Sequence, residues 1–417
     1  MNDNYRILNN LCGELKSEVD GHLLPYWIQN TVDNRNSGFH GQIMNDNSVV
    51  EDAPRSIILY TRILWTFSAS YRVLHNKKYL AIAERAYDYI MKHFWDDVNG
   101  GVYWMVDHNG QAVESKKHVY AQAFALYGLS EYYRAALHTN AITRAIDIYS
   151  LLKKYSHQSD GTGYHEAFTK TWIPLKDVRL SDKDDEQQRS MNTHLHLFEA
   201  FANLYRVWQN DDLKDELTDL IHLFIGPVYN QSNGHFYTFF DEKWNPKTDV
   251  YSYGHDIEAV WLLADATREL DNAQLHEQSR NLILSTADVT MNEGIDAEIG
   301  GLYNSGCNGK VLDADKHWWA QAEAIVGFVH AYLVSNDEKY LETAVKTWEF
   351  VKKYIIIPEY GEWYYRVDRN GKPYVNEDKV GFWKCPYHNV RMGLEVVEVI
   401  NEMKPEPEPG KRMTGTQ

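Results

Sequence analysis

The chain of 417 residues carries 42 Lys and Arg residues against 59 Asp and Glu residues, which gives a formal net charge of −17. This excess of acidic residues, without any run of Lys or Arg, disfavours binding to nucleic acids and other polyanions. Hydrophobic residues make up 44% of the chain and aromatic residues 13%, enough for a large core or for flat surfaces on which sugar rings stack.

The amino-terminal segment and the cysteines bear on where the protein is found. Residues 1–27 contain neither a basic leader nor a long apolar stretch, so we predict no secretory or membrane-spanning segment. Cys12, Cys307 and Cys385 show no spacing typical of a disulfide framework or a zinc site, which indicates a reducing compartment. We therefore expect a cytoplasmic protein that does not bind membranes.

The sequence predicts about twelve helices of two kinds that alternate along the chain. Apolar residues recur at helical spacing, on more than one side, in segments that begin at Ser56, His118, Met191, His255, His317 and His388. Amphipathic, more charged helices are predicted near Tyr5, Tyr79, Ala141, Leu213, Ala273 and Tyr340. The first kind is typical of buried helices and the second of half-exposed helices.

The alternation of the two kinds indicates helix pairs arranged around an axis. Buried helices recur roughly every sixty residues, and polar and aromatic residues concentrate where they begin. Repeated units of this kind bury their apolar faces only by stacking or closing on one another. A closed ring with the buried helices inside is favoured over an open α-solenoid. We expect one domain over residues 1–403 and a disordered, Pro-rich tail over residues 404–417.

A repeated hairpin pattern separates the helix pairs. The segments that begin at Asn76 and Asn336 each read as a turn, an amphipathic helix and a Gly-marked aromatic hairpin, and a more degenerate copy runs from Leu213. The Asn-Gly pairs at Asn109 and Asn370 are typical of hairpin turns. Short β-hairpins are therefore predicted in the loops between helices.

Candidate reactive residues lie at the start of the buried helices. The sequence has no Gly-rich phosphate loop after a strand, no GxSxG motif and no HExxH motif. His255, Glu258 and Trp261 are three residues apart and share one helix face. Gly254, directly before them, allows a substrate or a neighbouring backbone to approach closely. A lone His here is more often a core residue, but burying several titratable groups together is costly without a function.

Helical phase selects one of two histidines in the segment MNTHLHLFEA. Asn192 and His196 are four residues apart and share a face, whereas His194 points elsewhere. His194 and His196 could also form a metal-binding pair. Because their side chains diverge on a helix and no third ligand motif stands nearby, a metal site is disfavoured, and His196 is the predicted site residue.

Other buried helices carry further candidates. Arg62 lies on the first buried helix, and Trp319 and Glu323 share a face of the fifth. Trp383 and His388 stand at a junction between a loop and the last helix. Tryptophans in such helices are more often core residues than sugar platforms when each is considered alone.

Six segments together resemble the cellobiose 2-epimerases, within the wider N-acylglucosamine 2-epimerase superfamily. They are TRILWTFSA, KHVYAQAFALYGLSEYY, MNTHLHLFEA, SYGHDIEAVWLL, the WWxxAExxxGF pattern and WKCPYHNVRM. The likeness runs in order from about Tyr5 to about Met403. It implies an all-α fold, a single (α/α)6 barrel of about twelve helices with short β-hairpins in the loops, in agreement with the helix-pair pattern.

The resemblance also implies roles for individual residues. His255 and His388 would be the acid/base pair on opposite faces of C2 of a sugar, with Glu258 orienting His255. The implied substrate-binding residues are Arg62, Asn192 and His196 on the oxygens of the opened sugar, Glu323 in support of the second side, Trp319 and Trp383 stacked on the rings, Tyr120 near the reducing end, and Trp261 on the same helix face as His255. Asn304 stands where an aromatic residue is expected from several relatives, so a sugar platform there would be weaker or would be supplied from elsewhere.

The implied reaction is epimerisation at C2 of the reducing-end glucose of a β-1,4-linked disaccharide, cellobiose to glucosyl-mannose and also lactose to epilactose. It proceeds by ring opening and proton transfer between two histidines through an enediolate. No hydride moves, and Arg62 can stabilise the oxyanion, so neither a cofactor nor a metal is expected. Mannobiose epimerisation and mannose or glucose ketol-isomerisation on the same site remain alternatives.

Two other classes of function are open on the sequence. A glycoside hydrolase on the same barrel would need two carboxylates flanking a glycosidic bond, and no such Asp/Glu pair stands out. A carbohydrate-binding scaffold would explain the tryptophans but would leave His255, His388 and Arg62 without a role. The expected partner is a small disaccharide, and we expect the protein to bind neither nucleic acid nor membranes. The protein itself is expected to be a monomer or a weak homo-oligomer.

Overall fold

Helices dominate the computed structural model, which describes residues 3–158, 163–181, 187–359 and 361–403. The helices are α1 (Asp3–Glu18), α2 (Leu24–Asn30), α3 (Ile57–Leu74), α4 (Lys77–Tyr89), α5 (Val119–Ala136), α6 (Thr139–Tyr155), α7 (Met191–Tyr205), α8 (Asp211–Ile225), α9 (Tyr253–Glu269), α10 (Ala273–Val289), α11 (Trp318–Ser335), α12 (Glu338–Phe350) and α13 (Tyr387–Met403). No helix among these ranges is both long and apolar enough to cross a membrane. The predicted tail over residues 404–417 lies outside the described residues.

The strands are all short. They are β1 (Ile43–Met44), β2 (Arg55–Ser56), β3 (Met105–Val106), β4 (Ala112–Glu114), β5 (Lys117–His118), β6 (Ala167–Phe168), β7 (Arg189–Ser190), β8 (Tyr229–Asn230), β9 (His235–Phe236), β10 (Phe239–Phe240), β11 (Val250–Ser252), β12 (Ser305–Cys307), β13 (Lys310–Asp313), β14 (Lys316–His317), β15 (Arg366–Val367) and β16 (Asp378–Val380). All lie in the connections between helices, as the hairpin pattern predicts.

The odd-numbered helices from α3 to α13 form a closed inner ring. Going round the ring, α3 packs on α5, α5 on α7, α7 on α9, α9 on α11, α11 on α13, and α13 packs back on α3. Outside the ring, α4, α6, α8, α10 and α12 each pack on the inner helix before them, and α1 packs on α13. The predicted (α/α)6 barrel is confirmed, and the alternative of an open solenoid is wrong.

Small residues allow the inner helices to approach one another closely. A Cβ atom on Gly128 of α5 would stand 2.8 Å from the carbonyl oxygen of Thr61 on α3. A Cβ atom on Gly327 of α11 would stand 2.5 Å from the carbonyl oxygen of Ile257 on α9. Since both contacts are to backbone, which cannot move aside, these positions require glycine for tight packing of the ring.

Helix caps fix where the inner helices begin and end. The Oγ atoms of Ser56, Ser190 and Ser252 accept hydrogen bonds from backbone N–H groups in the first turns of α3, α7 and α9. Such caps satisfy N–H groups that the helix itself leaves unpaired. At the other end, α3 and α11 stop at His75 (φ 58°) and Asn336 (φ 59°), whose left-handed backbone turns the chain directly into the next outer helix.

A strand before each inner helix pairs with a strand in the loop that follows an outer helix. The antiparallel pairs are β2 with β3, β5 with β6, β7 with β10, β11 with β12, β14 with β15, and β16 with β1. The Asn-Gly turns predicted at Asn109 and Asn370 are present, with Gly110 and Gly371 at φ 85° and 83°. These pairs gather the starts of the inner helices at one end of the barrel, its mouth.

Ion pairs close the opposite end, the floor of the barrel. Four arginines lie where α3, α5, α7 and α9 end: Arg72, Arg134, Arg206 and Arg268. Arg72 and Arg134 bind the buried Glu131 at 2.8 and 2.7 Å, and Arg206 binds Asp265 at 2.6 Å. Burial alone would raise the pKa of Glu131, but the two guanidinium groups hold it at about 2. The pairs therefore link neighbouring helices across the floor.

His330, beside this floor, supports a prediction about pH. Burial lowers its pKa to about 4, whereas a histidine in the unfolded chain takes up its proton near pH ~6.5. The native ring therefore stays neutral while the unfolded one is charged, and stability is lost as the pH falls from about 6.5 towards 4. His330→Gln removes this effect. We therefore expect its free energy of unfolding to rise relative to that of the parent by about 1.4 kcal/mol for each unit by which the pH falls within that window.

Urea denaturation of both proteins at pH values from about 7.5 to 4.5 measures this difference. The same change at His276, which is exposed on α10, is the matched control and should leave the two curves parallel. Parallel curves for His330→Gln as well would contradict the prediction.

Candidate active site

A polar cavity of about 200 Å³ opens at the mouth of the barrel. Its wall is formed by Arg62, Tyr120, Leu180, Ser181, Asn192, His196, His255, Glu258, Trp318, Trp319, Tyr365, Trp383 and His388. The structure thus brings together the residues predicted from the sequence, with the exception of Glu323 and Trp261. Four further wall residues were not predicted: Leu180, Ser181, Trp318 and Tyr365. Three of these, Leu180, Ser181 and Tyr365, lie in loops or next to a hairpin strand, outside the helices.

His388 stands at the start of α13 and is held by a carboxylate. Its Nδ1 lies 2.6 Å from Oε1 of Glu323, and burial lowers the pKa of His388 to about 3. Burial acts against ionisation of Glu323, but Arg391 and His388 hold the pKa of this carboxyl at about 2. The carboxylate therefore accepts the Nδ1 proton of a neutral ring and leaves Nε2 as the basic nitrogen.

Glu323 and Trp261 lie behind His388 rather than on the cavity wall. Trp261 Nε1 donates to Oε2 of Glu323 at 2.8 Å, and both side chains are almost fully buried. Trp261 follows His255 by six residues, which moves it about 9 Å down the helix axis and away from the mouth. Glu323 binds His388, in keeping with the supporting role that the resemblance implies, and Trp261 holds Glu323 from behind. Contact of either residue with a sugar stays a prediction.

His255 is the second imidazole on the wall, at the start of α9. Its ring centroid lies 4.8 Å from that of Trp319, and burial lowers the pKa of His255 to about 3. Its ring forms no hydrogen bond with any described residue, unlike that of His388. The close approach at Gly254 is made by a side chain rather than by a backbone: the ring of Trp319 would stand 2.5 Å from a Cβ atom there.

Glu258 does not orient His255, contrary to the role implied by the resemblance. Its Oε1 accepts a hydrogen bond from Arg391 at 2.6 Å. Burial and the nearby Glu323 raise the pKa of Glu258 well above its usual range, which favours its protonated form. Spacing of three residues places Glu258 on the face of His255, but its carboxyl group is bound by the guanidinium that α13 supplies.

Arg391 binds three glutamates, and we call these four residues the Arg391 cluster (Arg391, Glu199, Glu258 and Glu323). The guanidinium donates to Glu258 at 2.6 Å, to Glu323 at 2.7 Å and also to Glu199. Arg391 and Glu199 were not predicted, although each follows a predicted site histidine by three residues, on the same helix face. That spacing was the available signal.

His196 lies on the wall and His194 does not, as helical phase predicts. Nδ1 of His196 lies 2.9 Å from Oε2 of Glu199, so the Arg391 cluster supports this ring too. Nδ1 of His194 instead lies 2.9 Å from the carbonyl oxygen of Ser190, and its Nε2 accepts from the backbone N–H of Tyr164 at 3.1 Å. His194 thus stabilises a loop outside the cavity.

Arg62 brings a permanent positive charge to the wall. It donates to the hydroxyl oxygen of Tyr120 at 2.7 Å and to Sγ of Cys385 at 3.8 Å. Its guanidinium carbon lies 4.3 Å from the ring centroid of Phe124. Asn192 is on the same wall, and its Oδ1 has no partner among the described residues. Arg62 thus has no carboxylate partner among those residues, and Asn192 leaves an acceptor for a hydroxyl group of a ligand.

Aromatic rings form the sides of the cavity. Trp318 packs on Tyr365 with ring centroids 4.6 Å apart, and Trp383 packs on Tyr120 at 5.9 Å. Asn304, the departure from the family pattern, donates to Asp313 at 2.9 Å within a hairpin and is not part of the wall. The flat surfaces available to a sugar therefore come from the other aromatic residues.

One group in the site resembles a metal-binding set. Ligand atoms of Glu258, Glu323 and His388 lie within 4.8 Å of one another. Arg391 already donates to both carboxyl groups, and Glu258 has a raised pKa. A cation would have to compete with this guanidinium and displace the proton, so the set is better described as part of the Arg391 cluster.

Comparisons with known proteins agree with this geometry. The sequence model of N-acylglucosamine 2-epimerase (GlcNAc 2-epimerase) matches residues 38–391. Cellobiose 2-epimerase from Bacteroides fragilis is 39% identical over 92% of this chain and 98% of its own length, and that from Dictyoglomus turgidum is 38% identical over 93% and 99%. The solved structure of the enzyme from Bacillus thermoamylovorans superimposes with a TM-score of 0.90, at 38% identity over 94% of this chain and 100% of that chain.

The resemblance to cellobiose 2-epimerases inferred from the six sequence segments is thereby confirmed. The family match spans most of the chain and includes every wall residue of the cavity. This chain belongs to the N-acylglucosamine 2-epimerase family of carbohydrate epimerases and isomerases.

Proposed function

We propose that the chain epimerises C2 of the reducing-end glucose of β-1,4-linked disaccharides, converting cellobiose to glucosyl-mannose and lactose to epilactose without a cofactor. The observation that carries the proposal is the pair of imidazoles, His255 and His388, on the wall of one cavity. Both have a pKa lowered to about 3 and are therefore neutral bases at neutral pH. The disaccharide itself is inferred from the cellobiose 2-epimerases to which the chain is similar.

The reaction begins with opening of the sugar ring, which exposes an aldehyde and makes the C2 proton acidic. One imidazole removes that proton and becomes an imidazolium, and an enediolate forms. Return of a proton to the opposite face requires the second imidazole to carry one, which it takes up from solvent because both rings are neutral in the free protein. It gives this proton to C2 and becomes neutral again, while the first ring releases its proton to solvent. Glu323, at 2.6 Å from Nδ1 of His388, stabilises the charged form of this ring, so His388 can act as acid as well as base.

Arg62 and Asn192 complete the site by binding the oxygen atoms of the opened sugar. Negative charge develops on O1 and O2 in the enediolate, and a fixed guanidinium stabilises it without reorganisation. The amide group of Asn192 offers a donor beside it. No step transfers a hydride or a phosphoryl group, so the chain's own residues account for the proton chemistry.

Hydrolysis on this barrel is disfavoured by the carboxyl groups. A glycoside hydrolase needs two carboxyl groups that both reach the scissile bond. Among the described residues, Glu258 alone supplies a carboxyl group to the wall, while Glu323 is engaged by His388, Trp261 and Arg391.

Incubation with cellobiose in D₂O, without added metal or nucleotide, tests the proposal by NMR. We expect deuterium at C2 together with the appearance of glucosyl-mannose. Free glucose would indicate hydrolysis and a ketose would indicate isomerisation, and either as the main product would contradict the proposal, as would no reaction. The double variant His255→Asn, His388→Asn, purified in the same way, is the control for contaminating activity.

A further inference from the structure

Arg62 is a buried cation without an anionic partner. It is 3% exposed, yet its hydrogen-bond acceptors are a hydroxyl oxygen of Tyr120 and Sγ of Cys385. Its Nε has no partner among the described residues. Other buried arginines are paired: Arg55 binds Asp33 at 2.5 Å, and Arg391 binds three glutamates. A buried charge without a counter-charge is costly, so this position favours an anion.

The carboxyl groups near the cavity do not neutralise Arg62. Glu199 and Glu323 are bound by Arg391 and by the site histidines on the side away from the cavity. Glu258 is on the wall, but its carboxyl group is bound by Arg391 at 2.6 Å, and burial and Glu323 raise its pKa. An incoming anion at Arg62 would therefore meet no carboxyl group on the described wall that lacks a guanidinium of its own.

A further donor lies beside the guanidinium. Asn192 lines the same cavity, and its side-chain amide offers N–H groups. An oxyanion bound here would replace weak acceptors with charge-assisted hydrogen bonds, which are roughly twice as strong as neutral ones. The aromatic wall leaves room beside this position for the sugar that carries the anion.

We propose that the cavity binds disaccharide aldonic acids, in which C1 is a carboxylate, more tightly than uncharged open-chain sugars. The sugar part of this inference rests on the proposed function, while the anion part rests on Arg62. A C1 carboxylate places negative charge where the enediolate carries it, but no proton can be removed to give product. Disaccharides oxidised at their reducing end, by any reaction that converts the aldehyde to an acid, are then competitive inhibitors of the epimerase.

Calorimetric titration with two stable ligands of the same length tests this inference. They are 4-O-β-glucosyl-gluconate and the uncharged 4-O-β-glucosyl-glucitol. We expect the aldonate to bind the parent protein at least about tenfold more tightly, and Arg62→Met to remove this preference. Arg366→Met is the matched control, because Arg366 follows the wall residue Tyr365 but is already paired with Asp315 and Glu377, and it should keep the preference.

Each other outcome overturns the inference. Equal affinity of the two ligands for the parent protein, or failure of the aldonate to bind, shows that Arg62 is no anion site, and this comparison needs no variant. A preference that survives in Arg62→Met assigns the anion to another group. Failure of the proposed function would be detected separately, by the incubation with cellobiose in D₂O. A protein that epimerises cellobiose but does not prefer the aldonate would refute this inference alone.

Discussion

His388→Asn is expected to lower kcat for epimerisation of cellobiose by about 10²–10⁴-fold, as loss of a positioned acid/base does. Asn retains a donor towards Glu323 and much of the volume of the ring, so the fold should persist. His255→Asn should lower kcat to a similar extent, because each ring serves a different face of C2. Steady-state rates and circular dichroism of the two variants measure activity and folding separately.

Exchange of the C2 proton with D₂O distinguishes two bases from one. If His255 and His388 each serve one face, each single variant still exchanges the C2 proton of one epimer without converting it. The epimer that exchanges should differ between the two variants. If a single base serves both faces after rotation of the intermediate, one variant abolishes exchange in both epimers and the other leaves epimerisation intact, which would refute the two-histidine mechanism.

His194→Asn is the matched control for these variants. This ring belongs to the same helix as His196 but holds a loop through Ser190 and Tyr164. We expect it to lower the thermal midpoint of unfolding and to leave kcat per folded molecule within a few-fold of the parent. A large loss of kcat without loss of stability would place His194 in the reaction.

Arg391→Met is expected to lower the free energy of unfolding by about 3–5 kcal/mol, because it leaves the ionised Glu199 and Glu323 buried without their cation. Both carboxyl groups are at most 3% exposed, so water cannot replace the guanidinium. Guanidinium chloride denaturation of parent and variant measures the difference.

Removing the stranded charges should restore part of the loss. We expect Arg391→Met combined with Glu199→Gln and Glu323→Gln to be more stable than Arg391→Met alone, because neutral amides are cheaper to bury than carboxylates. Arg6→Met is the control, since Arg6 and its partner Asp3 are 72% and 83% exposed and such a pair contributes less than about 1 kcal/mol. A loss at Arg391 as small as that at Arg6 would contradict the argument.

Much of the barrel could be predicted because its signals are local. The predicted start of a buried helix at Met191 is the observed one, and those predicted at His255 and His388 lie within two residues of the observed starts at Tyr253 and Tyr387. The helical period and the capping serines both depend on residues that are close together in the sequence, so both can be recognised from the sequence alone. The placement of His196 on the cavity wall follows from the same periodicity.

The errors concern partners that are distant in the sequence. Glu258 is bound by Arg391, which follows it by 133 residues. Helical spacing predicts which residues share a face of one helix, but it does not predict which residues of another helix pack against that face. Trp261 shares the face of His255, yet the depth of a residue along the barrel axis decides whether it reaches the mouth. Leu180 and Tyr365 arrive from loops, where no periodicity predicts position.

The inner ring is completed by α13, the last helix of the described chain, which packs on both α3 and α11. This helix also supplies His388 and Arg391. Until the ribosome has released α13, the nascent barrel has an open seam beside α3 and α11, and Glu199, Glu258 and Glu323 face it without their guanidinium. Closure of the ring, neutralisation of its acidic core and completion of the pair of imidazoles therefore all depend on this one helix.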